Sequence, residues 1–232
     1  MRWIEPEHPD LGGPTAVLAA SAEVLARYEH GADWLTPAER HRGAALADGT
    51  ARNDFVAAHL LVRLCAAAVT GRSPAELRIV QRCTSCGGRH GRPMIEGCTD
   101  VHVSLSHAGG VVAAASGPQP VGVDVERVRT LDGRAALYAR TLHPAEQADV
   151  QRDPDPDWAF LRHWVRKEAV IKSGFGDLAG MRHIDLSSLS GVAQDDAPRP
   201  LRLRSAGQDL LLRDFTDDAH NLVGAVVHSV WT

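Results

Sequence analysis

The chain has 232 residues, 44% of them hydrophobic and 23% charged, a balance that excludes a disordered tail, a collagen and a coiled-coil rod. Its 25 basic and 29 acidic side chains leave a formal charge of −4, which provides no electrostatic footprint for nucleic acid but is compatible with a small phosphorylated ligand. No apolar run approaches the roughly 20 residues expected of a membrane helix. The opening Met1-Arg2-Trp3-Ile4-Glu5-Pro6 lacks the apolar segment of a secretory signal, so a cytoplasmic protein with cysteines 65, 83, 86 and 98 reduced is expected.

Along the chain, the pattern predicts a strand at 15–20, helices at 36–47 and 52–70, and strands at 77–81, 101–105 and 111–116. Ser116-Gly-Pro-Gln-Pro120 interrupts any continuous element and divides the chain into 1–117 and 118–232. Beyond it, 121–126 reads as a strand, 134–140, 144–150 and 157–173 as helices, and 184–188, 200–204, 209–214 and 222–230 as closing strands. Loops as short as His107-Ala-Gly-Gly110 favour an antiparallel α+β fold over a Rossmann sheet, and neither GxGxxG nor a P-loop is present.

The sequence also echoes itself. Leu35-Thr-Pro-Ala-Glu39 returns as Leu142-His-Pro-Ala-Glu146, and in the long helices Asp54-Phe55, Val62-Arg63, Ala66 and Gly71 fall opposite Asp157-Trp158, Val165-Arg166, Ala169 and Gly174 without a gap. This points to a duplication; the alternative is two unrelated helices with a common first turn.

Three constellations break the local pattern. In Val121-Gly-Val-Asp-Val-Glu126 the valines face one side of a strand and Gly122, Asp124 and Glu126 the other. Two carboxylates about 7 Å apart on one face suit a hard cation, or are the outward acids of a half-exposed strand. On the second long helix Glu168 and Lys172 fall within the apolar stripe of Leu161, Trp164 and Val165, where the aligned positions of the first half are Cys65 and Val69. One copy has exchanged packing for charge, as expected of a functional site, against the plainer reading of a solvated i,i+4 pair. In Val101-His-Val-Ser-Leu-Ser-His107, Ser106 and His107 stand where a strand turns and suit phosphate oxygens better than hydrolysis, since no G-x-S-x-G elbow accompanies them. Cys83, Cys86, His90 and Cys98 have part of the spacing of a zinc site, or form only a cysteine-bearing loop. Arg40, Arg42, Arg52, Arg63 and Arg92 are scattered bases that either are solvated or meet phosphates as a group.

Gly122-Val-Asp124-Val-Glu126 followed by Trp164-Val-Arg-Lys167-Glu168-Ala-Val-Ile-Lys172 resembles the 4′-phosphopantetheinyl transferase superfamily. Pro37-Ala-Glu-Arg40, Gly91-Arg92-Pro93 and Ser104-Leu-Ser106-His107 are similar to its other motifs, so the resemblance spans about 35–178. It points to the monomeric, surfactin-synthetase-activating type, whose two similar halves form a pseudo-dimer, each a small, mostly antiparallel sheet packed with a long helix. The resemblance implies transfer of the phosphopantetheine arm of coenzyme A to a serine of an apo acyl or peptidyl carrier protein, releasing adenosine 3′,5′-bisphosphate. It implies Mg²⁺, or Mn²⁺, held by Asp124, Glu126 and Glu168. Glu168 would be the base, directly or through water, Lys172 would stabilise the leaving phosphate, and Glu146 would hold metal-bound water. Arg40, Arg42, Arg92, Ser106 and His107 would hold the nucleotide. Arg92 replaces a commoner lysine, Asp54 stands where a base is frequent, and Gly174-Phe-Gly176-Asp-Leu178 only approximates the motif that follows the helix. The competing classes are a non-catalytic carrier-protein or nucleotide-binding module of the same fold and a zinc-stabilised interaction domain.

Overall fold

The computed structural model describes residues 2–4, 14–81, 87–88, 91–131, 133–189, 199–203, 208–217 and 221–230; Cys83, Cys86 and His90 lie outside them. In chain order the elements are β1 (Arg2–Ile4), β2 (Thr15–Ala20), α1 (Ser21–Arg27), α2 (Pro37–Ala44), α3 (Gly49–Thr70), β3 (Ile79–Gln81), β4 (Pro93–Ile95), β5 (His102–Ala108), β6 (Val111–Gly117) and β7 (Val121–Arg127). Then follow α4 (Arg134–Thr141), α5 (Pro144–Arg152), α6 (Pro156–Ser173), β8 (Arg199–Leu203), β9 (Gln208–Asp217) and β10 (Leu222–Ser229). The strands form two sheets, β1-β2-β6-β5-β4-β3 and β7-β10-β9-β8, in which every pairing is antiparallel. The fold is therefore α+β, as the short connections imply. β5 and β6 are joined by Gly109-Gly110 alone, both at positive φ, the geometry of a tight hairpin.

The two sheets share a connectivity. The opening strand (β2 or β7) pairs with the last strand (β6 or β10), which pairs with the one before it (β5 or β9), beside β4 or β8. Each long helix covers one face of its sheet: α3 packs on β2, β5 and β6, and α6 on β7 and β10. A third core joins the halves, where Val121, Val123 and Val125 of β7 meet Ala16, Leu18, Val111, Ala113 and Ala115. Small alanines on the facing strands let the two sheets approach closely. At the free edge of β7, the Val123 and Val125 N–H groups donate to Ser104 Oγ (3.0 Å) and Ser106 Oγ (3.4 Å) of β5.

The echoed Pro-Ala-Glu segments do more than start helices. In α2 the Thr36 N–H donates to Glu39 Oε2 at 2.6 Å, and the same oxygen accepts from Arg63 of α3 at 2.7 Å. In α5 the His143 N–H donates to Glu146 Oε2 at 2.7 Å, and Lys167 Nζ of α6 lies 2.6 Å from that oxygen. Each acid thus caps its own short helix and ties it to a buried cation on the long one. Arg166, aligned with Arg63, pairs instead with Asp214 of β9, its Nε 2.9 Å from Oδ1. Arg63, Arg166 and Lys167 are all fully buried.

Several expectations are corrected. Segment 184–188 is not a strand; residues 184–186 link the 3₁₀ turns Met181–His183 and Ser187–Leu189, and 187–188 belong to the second turn. Its backbone is engaged locally, with the Leu186 N–H donating to Glu146 and the Ser187 N–H to Asp185. β1, β4 and α1 were not anticipated, and two of the three are only 3 residues long. Contrary to the reading of the apolar runs, α3 is long and apolar enough to cross a bilayer by length and composition; in this fold it is the core helix of the first sheet.

Gly122 fixes how closely α6 lies on β7. A Cβ there would fall 1.9 Å from the Ala169 carbonyl oxygen and 2.6 Å from the Ser173 nitrogen, so only glycine allows the helix backbone to rest on the strand. Gly122→Ala is expected to cost about 3 kcal/mol or more in denaturant unfolding; a loss under about 0.5 kcal/mol would contradict this contact. Arg166→Met should cost about 3–5 kcal/mol because it removes the guanidinium that pairs with a buried Asp214, whereas Arg166→Met with Asp214→Leu should recover most of the loss.

Candidate active site

The alternation of β7 places its valines in the inter-sheet core and Gly122, Asp124 and Glu126 toward α6. Because Gly122 brings α6 so near, Glu168 and Lys172, one helical turn apart, come onto the same ground. Lys172 Nζ is 2.6 Å from Asp124 Oδ1. Ser106 Oγ, from β5 of the other sheet, donates to that same oxygen at 2.6 Å. Asp124 is only 3% exposed, and its second oxygen, Oδ2, is buried without a hydrogen-bond partner.

The electrostatics match a crowd of like charges. Burial first, and the Asp124 carboxylate second, push Glu126 up to about 7, against the opposing pull of Arg129 and Lys172. Burial and then Asp124 also raise Glu168, with Lys172 opposing. Three carboxylates therefore feel one another while a single ammonium rests on them. Among the described residues no three His, Cys, Asp or Glu side chains form a ready-made metal-binding group. At Asp124 the Lys172 ammonium occupies the position of a counter-ion. The acids nonetheless fit a hard divalent ion. All their donors are oxygens, one is an unpartnered buried oxygen, and burial first, with the Asp124 carboxylate second, raises both glutamates.

The basic residues are more dispersed. His107, near the end of β5, keeps solvent access yet is held below its usual range by partial desolvation first; Asp54 and Asp124 pull it up while Lys172 and Arg42 push it down. Arg42 stands 5.6 Å over the Phe55 ring and donates to Gln81 at 2.7 Å, lining a cavity of about 560 Å³ with Phe55, His59 and Ile79. Arg92 lines a second cavity of about 770 Å³ with Met94 and His102, and its guanidinium lies against Gly174, just past the end of α6. Arg40 is exposed and its guanidinium donates to the Leu35 carbonyl. Ser106 departs from expectation: it is buried and its hydroxyl proton goes to Asp124, so it has none to give a phosphate. Glu146 departs too. It is fully buried, and both of its oxygens are engaged within the protein, by Lys167, the His143 N–H and the Leu186 N–H. Asp54 is structural, accepting from Ser21 Oγ (2.5 Å) and the Gly110 N–H (2.9 Å).

Sequence reasoning missed the buried cations beside the site. The recurrence of Arg63 as Arg166 under a common offset was the available signal, and a charge on a helix reads as solvent-facing unless its partner is known.

The sequence profile of the 4′-phosphopantetheinyl transferase superfamily matches residues 120–219, which contain β7 and α6 and therefore all three acids and Lys172. A 4′-phosphopantetheinyl transferase of Bacillus subtilis is 27% identical over 173 residues, 73% of this chain and 71% of that one. The transferase psf-1 of Bacillus pumilus is 32% identical over 49% of this chain and 47% of its own length, and Sfp of Bacillus subtilis strain 168 is 32% identical over 36% and 37%. Residues 120–219 are thus similar to the 4′-phosphopantetheinyl transferase superfamily, and the likeness to the Bacillus subtilis transferase extends over 73% of the chain.

The raised pKa of Glu126 gives a testable pH dependence. Between about 4.5 and 7 the folded protein holds a proton that the unfolded chain releases, so this group's contribution to stability is lost as pH rises through that window. Metal-free protein should therefore melt progressively lower from pH 5 to pH 8, and Glu126→Gln should fall less over the same range. Parallel declines in the two proteins would show that Glu126 is not strained by its neighbours.

Proposed function

We propose that this protein transfers the 4′-phosphopantetheine arm of coenzyme A to a serine of an apo acyl or peptidyl carrier protein. The observation that carries the reading is the juxtaposition of Asp124, Glu126, Glu168 and Lys172 across β7 and α6, inside the segment matched by the superfamily profile. Asp124, Glu126 and Glu168 would hold Mg²⁺ or Mn²⁺, which when bound neutralises charge on the pyrophosphate oxygens.

The chain's own groups supply the remainder. Glu168, whose raised pKa makes it a better proton acceptor than an exposed carboxylate, takes the proton of the carrier serine. The serine oxygen bonds to the phosphorus bearing the pantetheine, the P–O bond to the nucleotide phosphate breaks, and adenosine 3′,5′-bisphosphate leaves with the electron pair. Lys172 turns from Asp124 to the phosphate as negative charge develops there. Arg42 supplies positive charge for the nucleotide phosphates, His107 offers a neutral imidazole for hydrogen bonding, and Arg92 lies beside the end of α6. Arg40, bonded to its own backbone, contributes through long-range charge rather than contact. The shared strand order and the paired Glu39 and Glu146 tethers support a monomeric pseudo-dimer derived from duplication.

Incubation of the protein with coenzyme A, Mg²⁺ and an apo carrier protein should raise the carrier's mass by roughly 340 Da, the mass of the phosphopantetheine arm. No gain with several unrelated carriers would overturn the reading in favour of a binding module. Glu168→Gln should lower the transfer rate by about 10²–10⁴-fold without changing the melting curve greatly; near-normal turnover would remove Glu168 from proton transfer.

A further inference from the structure

Two donors converge on one oxygen of Asp124, and they differ in kind. Lys172 reaches Oδ1 from α6, within the C-terminal half; Ser106 reaches it from β5, in the other sheet, at the same 2.6 Å. Oδ2 is left buried and unpartnered. A carboxylate that accepts twice on one oxygen and not at all on the other has its rotation set by those donors, and it presents its bare oxygen in a fixed direction. In the reaction proposed above Lys172 must turn away to meet the leaving phosphate. Ser106 is then the remaining side-chain donor to Asp124 among the described contacts.

Ser106 is itself anchored. It is buried, stands in the interior of β5, and its oxygen accepts from the Val125 N–H, one residue beyond Asp124, at 3.4 Å. The hydroxyl therefore holds both the backbone and the side chain of the same short stretch of β7. Ser104, two residues earlier on the same face of β5, makes the equivalent backbone contact to the Val123 N–H at 3.0 Å. Its contacts at the seam reach no carboxylate. The two serines share a strand, a face and a seam, and they differ in the bond to Asp124.

We infer that Ser106 is a positioning residue of the N-terminal half that orients Asp124 across the seam, holding Oδ2 ready for a divalent cation whether or not Lys172 is in place. The inference rests on the transferase reading for the identity of the ion. It gives Ser106 a function other than phosphate binding, and it makes one half of the molecule responsible for the geometry of a carboxylate carried by the other. Outer partners of metal-binding carboxylates act in this way, and their loss typically costs 10–100-fold in metal affinity or activity.

The test is a titration of the full-length protein with Mn²⁺ alone, followed by the electron paramagnetic resonance signal of free Mn²⁺. Ser106→Ala should weaken Mn²⁺ binding by about tenfold or more, with Ser106→Thr restoring it to within about threefold of the wild type. Ser104→Ala should lower the melting temperature through its own lost seam contact yet bind Mn²⁺ as the wild type does. In transfer assays Ser106→Ala should lower kcat and leave KM for coenzyme A within about twofold. Wild-type Mn²⁺ affinity in Ser106→Ala, equal losses of Mn²⁺ affinity in both alanine variants, or a raised KM at unchanged kcat would each overturn the inference. A wild type that transfers the arm but takes up no Mn²⁺ alone would overturn it too, leaving the transferase reading intact. Failure of the wild type both to bind Mn²⁺ and to modify any carrier would instead defeat the underlying reading.

Discussion

Contact between the backbone of α6 and the face of β7 is the constraint from which the candidate site follows. A missing side chain at Gly122 lets Ala169 and Ser173 rest directly on the strand. That contact sets the depth at which Glu168 and Lys172 stand and therefore their approach to Asp124 and Glu126. Any longer separation would leave four charged groups reaching across water, where their mutual effect falls away steeply. At this depth they are partly desolvated, and the energetic consequence is visible in the two glutamates whose protonated forms are favoured.

The site is a compromise between stability and charge. Its acids destabilise the fold near neutral pH, and Lys172 offsets them only in part. The neighbouring pairs Arg166–Asp214 and Lys167–Glu146 have the opposite character, being buried and neutralised within the protein. They hold α6 rigidly from the faces that do not meet β7, so the helix that carries the chemistry is fixed on one side by closed ion pairs and left charged on the other.

Much of this was legible in the sequence, for reasons that can be named. The β7 alternation separates valines from acids because strand periodicity is strict, and Glu168 and Lys172 stood out because their counterparts Cys65 and Val69 are apolar. A glycine in a strand interior permits the close approach seen at Gly122. The rest depended on distant partners. Nothing local to Lys167 or Arg166 reveals Glu146 or Asp214, and an acid at the start of a helix reads first as a cap, which Glu39 and Glu146 indeed are. Ser106 was read by its chemistry, as a donor at a strand end, but which acceptor it meets is decided by how two sheets dock. Segment 184–188 begins with the apolar alternation of a strand, and Ile184 and Leu186 are buried, yet the Leu186 and Ser187 N–H groups find side-chain acceptors nearby and no ladder forms.

The serine contacts along β7 bear on what each half could be by itself. Their hydroxyls occupy hydrogen-bonding positions that on a bare outer strand, here one rich in valine and without proline, would recruit a strand from another molecule. A C-terminal segment released by proteolysis, or made without its predecessor, would carry that exposed ladder and tend toward self-association. The covalent joining of the two sheets thus protects the protein from aggregation as well as completing its cleft, a reason for the chain to persist as one unit even where the chemistry is concentrated in its second part.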